Sequence, residues 1–180
     1  MGGNVTRVLA SDASALSAFL KSSFGYDTGS IDPQTKNTPQ KRGIVRGDFN
    51  LNNANKISFN YVQLNSSTDV QLSGSTSAGI GRRQVATDAL NYANSNYQIL
   101  ENRKTSAGEW NSVLGTSMSN SLRVTYSYSD ESRPQSSTLF PFVDILQGGT
   151  AYLSFGSEPF TPNNELRYKS FEVKNDFVKF

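Results

Sequence analysis

The sequence predicts an all-β protein: an antiparallel meander of about five long strands, with a short N-terminal helix and long loops. Three observations carry this. Apolar and polar residues alternate with period two near 40–51, 55–66, 107–118, 121–131 and 166–179. Turn formers separate two pairs of these segments, at Asn52-Asn53-Ala54-Asn55 and at Ser119-Asn120. Elsewhere the strands are joined by long stretches without sustained alternation, 66–105 and 131–164.

The first element reads as a helix. Ser11 or Asp12 can cap it, Leu16, Phe19 and Leu20 fall at one-face spacing, and Gly25 is a natural stop. Residues 26–39, with Gly29, Pro33 and Pro39, read as loop, so the chain divides into 1–39, helix and loop, and 40–180, strands. Within 43–51, Val45, Phe49 and Leu51 share one face, and Arg46, Asp48 and Asn50 the other. After the turn, Ile57, Phe59 and Tyr61 alternate with Lys56, Ser58 and Asn60. Residues 73–81 are rich in Gly and Ser, and 86–96 have weak helical character. A second hairpin sets Trp110–Met118 against Leu122, Val124, Tyr126 and Tyr128, which alternate with Arg123, Thr125 and Ser127. The last strand carries Phe171, Val173 and Phe177 on one face, and Glu172, Lys174 and Asp176 on the other. It runs to the C-terminus without a turn or cap, as an internal piece of a longer protein would.

Composition narrows the chemistry. The 180 residues include no Cys and no His, which removes thiol nucleophiles, Ser-His-Asp triads, disulfides and the usual zinc, haem and iron–sulfur sites. Ser, Asn and Thr supply nearly a third of the chain. No stretch approaches the roughly 18 consecutive apolar residues of a membrane helix, although a membrane β-barrel hides its apolar face behind a soluble-looking average. The net charge of +2 is spread thinly; Lys41-Arg42 and Arg82-Arg83 are the adjacent basic pairs, neither set among stacking aromatics, and no nucleic-acid partner is expected. The amino terminus lacks a basic start followed by an apolar stretch, so no secretory leader is expected within the chain.

Several short motifs receive structural readings. Arg46-Gly47-Asp48 spells an adhesion tripeptide, but it lies in mid-strand. Asn65-Ser66-Ser67 is a chance sequon, and Gly79-Ile80-Gly81-Arg82-Arg83 lacks the Gly-Lys-Ser/Thr of a phosphate loop. Asp130-Glu131 and Glu172 with Asp176 are the carboxylate pairs that could serve glycoside hydrolysis; strand-end charge is the reading adopted. No catalytic, cofactor-binding or metal-binding residue is assigned, and no enzyme activity is expected. Tyr92, Tyr97, Phe140, Phe142, Phe160, Asn163 and Asn164 cluster in the long connections and could face a sugar or peptide ligand.

Two architectures share this pattern. A soluble sandwich spaces its turns every 8–12 residues or so, whereas an outer-membrane barrel alternates tight turns with long loops. Specific strings favour the second. Arg46-Gly47-Asp48-Phe49-Asn50, followed by Asn55-Lys56-Ile57-Ser58-Phe59-Asn60-Tyr61, resembles the R-x-D-x-N … N-K-x-x-x-x-Y hairpin of TonB-dependent outer-membrane receptors. The nearest group is the Oar-like one that bears a carboxypeptidase regulatory domain. Asn94-Ser95-Asn96-Tyr97, Glu109-Trp110-Asn111-Ser112-Val113, Ser119-Asn120-Ser121-Leu122-Arg123-Val124-Thr125-Tyr126, Asp130-Glu131-Ser132-Arg133 and 155–164 resemble later parts of the same barrel, in the family's order.

The resemblance implies part of a large transmembrane barrel in the cell outer membrane, importing a solute with TonB-coupled energy. It implies lipid, the remaining barrel strands, a plug domain, the TonB complex (through an N-terminal part that this chain lacks) and an unidentified solute as partners. Five strands fall far short of the roughly 22 of such transporters, so the chain is expected to be incompetent alone. In this reading Phe49, Phe59, Tyr61, Val124, Tyr126, Phe171 and Phe177 face lipid, with Val45, Leu51, Ile57, Leu122 and Val173. Arg46, Asp48, Asn50, Asn60, Arg123, Glu172 and Lys174 face the lumen, with Ser58 and Thr125. The alternative from another class is a soluble β-rich binding or adhesion module at the cell surface.

Overall fold

The computed structural model describes residues 5–31, 35–76, 79–81, 83–135, 137–162 and 164–180. Its elements are α1 (Ala10–Phe24), β1 (Gln40–Asn52), β2 (Asn55–Val70), β3 (Leu90–Asn91), a 3-10 turn (Ala93–Ser95), β4 (Tyr97–Leu100), β5 (Asn102–Leu114), β6 (Met118–Asp130), β7 (Val143–Gln147), β8 (Thr150–Phe155) and β9 (Arg167–Lys179). The protein is mostly β, antiparallel in its main sheet, with one short α-helix among the described residues.

The chain forms two compact units. One holds Pro39–Ser67, Leu100–Ser132 and Glu165–Phe180; the other holds Met1–Thr38, Thr68–Ile99 and Arg133–Asn164. Within 40–180, read from sequence as one continuous strand region, 68–99 and 133–164 therefore belong with the helix.

The first unit is a sheet of order β1-β2-β5-β6-β9, every neighbouring pair antiparallel. The sheet is not closed: β1 and β9 are its edges. Asn53-Ala54 turn the chain between β1 and β2, and the Asn52 side chain accepts from the Ala54 amide at 2.9 Å. The turn expected at Ser119-Asn120 lies instead at 115–117, where Gly115 (φ 68°) supplies the left-handed conformation a tight hairpin requires. Ser119 and Asn120 pair within the ladder, with Val113 and Ser112. Both turns join the same end of the sheet. The opposite strand ends receive the chain from residue 39, from 71–101 and from 131–166.

Those other segments fold around a core. α1 buries Ala13 and Leu20, with Leu16 packed beside them. Phe19, read as part of that stripe, is exposed, because 13, 16 and 20 keep one face while 19 rotates away. Neither Ser11 nor Asp12 caps the helix: the N-cap position is Leu9, without a side-chain bond, and Asp12 accepts instead from the Tyr152 hydroxyl at 2.7 Å. Gly25 ends the helix as expected, in the left-handed conformation. β3 and β7 flank β8, parallel and antiparallel respectively, and Gly148-Gly149, both at positive φ, form the β7–β8 turn. Val8, Tyr26, Tyr92, Tyr152, Leu153 and Phe155 complete the core.

Candidate functional site: two faces of one sheet

Period-two alternation becomes geometry once the register is fixed. On one face of the main sheet, three successive rows cross the strands: Phe49, Ile57, Trp110, Leu122 and Asn175; Gly47, Phe59, Gly108, Val124 and Val173; Val45, Tyr61, Ser106, Tyr126 and Phe171. Phe177 follows one row nearer the turns, opposite Asn120. All seven residues expected to face lipid lie on this face. Phe49, Phe59, Tyr126, Phe171 and Phe177 are exposed, at 42–69%, and Tyr61 and Val124 are half-buried by neighbours.

The other face carries three interleaved rows at the same levels: Arg46, Asn60, Ala107, Thr125 and Glu172; Asp48, Ser58, Glu109, Arg123 and Lys174; Asn50, Lys56, Asn111, Ser121 and Asp176. All seven residues expected to face the lumen lie here. Ion pairs stitch the rows along and across strands: Arg46–Asp48 at 2.9 Å, Lys56–Asp48 at 3.4 Å and Lys174–Asp176 at 2.9 Å. Asn111 donates to Glu109 at 2.6 Å. An open cleft of about 620 Å³ lies at the turn end, lined by the Asn50, Lys56, Asn111, Ser121 and Asp176 row and the turn residues beyond it. The face is less polar above and below: Ile44, Val62 and Leu64 lie toward one end, Val113 and Val178 toward the other.

Among the sheet's described residues, Ala107 is the one apolar side chain in the buried class. The exposed Phe49, Phe59, Trp110, Tyr126, Phe171, Val173 and Phe177 share one face of the sheet rather than being scattered singly. Sequence reasoning placed Lys56 with Ser58 and Asn60 and missed Trp110 and Glu109 as members of the two faces. In β5, Ser106, Ala107 and Gly108 blunt the alternation, so only pairing with β2 and β6 assigns its residues to faces.

The remaining motifs have structural partners. Arg46 and Asp48 of the adhesion tripeptide pair with each other in mid-strand. Asp130 pairs with Arg167 at 3.2 Å and Glu131 with Arg103 at 3.1 Å. Arg83 is buried, pairs with Asp144 at 2.7 Å and lies near the Phe142 and Phe160 rings; Arg82 is outside the described residues. Of the aromatics that could have faced a ligand, Tyr92 is buried and donates to the Ala13 carbonyl at 2.6 Å, and Phe140 stacks on Tyr26 at 4.0 Å. Tyr97 and Asn164 form isolated bridges with Gln135 and Arg133, and Asn163 is outside the described residues. Among the described residues no cluster of His, Cys, Asp or Glu is arranged to hold a metal, and no helix is long and apolar enough to cross a membrane.

No protein-family model, curated protein or solved structure matches this chain.

Proposed function

We propose that this chain is a segment of barrel wall from an outer-membrane receptor of the TonB-dependent type, which imports a solute using energy delivered through the TonB complex. One observation carries the reading. Three apolar rows and three polar rows occupy the same levels on opposite faces of a sheet that, among the described residues of its own unit, has no second layer. In water this arrangement buries almost nothing; between lipid and a wet lumen, both faces are solvated.

Strand length supports it. At about 3.4 Å per residue and a tilt near 45°, a 13-residue strand such as β5 crosses roughly 31 Å, close to the ~30 Å hydrocarbon core. The connections support it as well, with tight turns at one end of the strands and long segments at the other. The open edges β1 and β9 would each leave backbone groups unpaired in lipid, at several kcal/mol per group. Further strands of the receptor must therefore cover them, and this segment alone transports nothing. The transported solute is set by loops and plug rather than by strand alternation.

Trp110, the single tryptophan, sits on the apolar face and reports on it directly. The test adds the chain to phosphatidylcholine vesicles containing brominated acyl chains. Expected are a blue shift of the Trp110 emission and quenching by the bromines. A chain that is monodisperse in buffer, with Trp110 quenched by iodide and untouched by brominated lipid, would establish the soluble surface module instead. The core around Tyr92 and Leu153, which needs no lipid, is the feature that favours that second reading.

A further inference from the structure

The apolar face does not end abruptly at the strand ends opposite the tight turns. The row beyond Val45, Tyr61, Ser106, Tyr126 and Phe171 consists of Gly43, Gln63, Lys104, Tyr128 and Lys169. Lys104 and Lys169 flank Tyr128 on either side, both exposed. Two strand spacings of about 4.8 Å separate them, so their Cα atoms stand roughly 10 Å apart on the same face. No ion pair among the described residues engages either ammonium group. The same-face carboxylate of the next row, Asp130, is held by Arg167. The other end of the face differs: beyond Phe177 come Leu114, Met118 and Lys179, a single cation.

We infer that the Lys104–Tyr128–Lys169 row binds the anionic phosphorylated headgroups of the surrounding leaflet, with acyl chains lying over Tyr126, Phe171, Val124 and Val173. This rests on the lipid-facing reading above and specifies its partner. The argument is charge complementarity at a fixed depth. A lysine on a lipid-exposed strand lays its stem along apolar surface and lifts its ammonium to the interface. A tyrosine at the same level keeps its ring in the boundary, and the Tyr128 hydroxyl donates to Asp130 at 3.5 Å, which leaves the two ammonium groups as the headgroup ligands. With no carboxylate among the described residues paired to the two ammonium groups, the counter-charge comes from the lipid. Each such lysine contributes about fivefold to binding an anionic surface, roughly 10- to 30-fold for the pair.

The experiment compares the full chain on phosphatidylcholine vesicles with its binding to vesicles of phosphatidylcholine and phosphatidylglycerol, using flotation and Trp110 emission. The wild type is expected to bind both, the anionic mixture roughly 10- to 30-fold more tightly. K104Q/K169Q should keep the zwitterionic binding and lose most of that gain. K21Q/K36Q, which removes the same charge from outside the sheet, should keep the gain. The inference is overturned if K104Q/K169Q retains the gain, or if K21Q/K36Q loses as much. It is overturned too if inorganic phosphate, but not chloride of equal ionic strength, abolishes the gain, which would mark a free-anion site. Failure of the wild type to bind phosphatidylcholine at all would remove the lipid-facing reading itself, an outcome separate from the other three.

Discussion

The two units of this chain solve the same problem in opposite ways. Around α1 and β8, Val8, Leu20, Tyr26, Tyr92, Leu153 and Phe155 turn inward and bury one another, so this unit carries its own apolar medium. In the main sheet, Phe49, Phe59, Phe171, Val173 and Phe177 turn outward and are left bare. Both units are rich in aromatics, so composition does not separate them. What separates them is whether a second layer exists. A helix packed on a three-stranded sheet closes a core, whereas a lone sheet of long strands depends on whatever solvates its apolar face.

The comparison breaks most easily at the core. Leu153 is 2% exposed in β8, and Leu153→Ala should destabilise that unit by about 2–5 kcal/mol. Near-UV circular dichroism during urea unfolding in buffer measures the loss. The quenching of Trp110 by brominated lipid should be unchanged. Quenching that disappears with the core would mean that the sheet relies on the core unit rather than on lipid.

The reciprocal change comes next in size. Phe59→Arg places a cation in the middle apolar row, where a lipid face charges about 2–4 kcal/mol. Partition into phosphatidylcholine vesicles should fall accordingly, with the urea transition of the core unit unmoved. Asn60→Arg, one residue along and on the polar face, should leave both measurements at wild-type values. Equal effects of the two substitutions would mean that the faces are not distinguished by solvent.

The same contrast decides how much was legible in the sequence. Strands half exposed on each face must alternate, and β1, β2, β6 and β9 alternate visibly enough to be placed within a few residues; β5, expected at 107–118, runs Asn102–Leu114, because Ser106-Ala107-Gly108 blunts its period. The core unit left a weaker trace. β8 is buried from Ala151 to Phe155, so Ala151-Tyr152-Leu153-Ser154-Phe155 reads as a short apolar run without a period, and period was the signal being followed. β3 and β8 are parallel and their paired residues stand 63 apart in sequence, a pairing no local turn announces. Gly148-Gly149 was visible as punctuation but not as a hairpin, because its flanks do not alternate. The shifted turn at Gly115 shows a smaller failure. Ser119-Asn120 has turn composition, but a residue that tolerates positive φ outweighs composition. As for the candidate site, alternation in β1, β2, β6 and β9 revealed which residues share a face. It could not show that the polar and apolar rows stand at one level, since that depends on the register between strands.

The smallest expected effect lies on a single hydroxyl of the core unit. Burial pushes the Tyr92 phenol up to about 12 from an ordinary 10.0, because the phenolate would lose its hydration. Its proton is also donated to the Ala13 carbonyl at 2.6 Å, tying the start of the 3-10 turn to α1. In the folded state Tyr92 therefore keeps its proton between pH 10 and about 12, while the unfolded chain gives it up. Stability conferred by the neutral phenol is complete below pH 10 and is lost as pH rises toward 12. Tyr92→Phe should cost about 0.5–1.5 kcal/mol at neutral pH, the worth of one hydrogen bond. It should also flatten part of the alkaline decline in urea midpoint. A variant with the neutral-pH loss but an unchanged alkaline decline would place that decline on other groups. Trp110 should report no change in either condition, since it lies in the other unit and on an exposed sheet face.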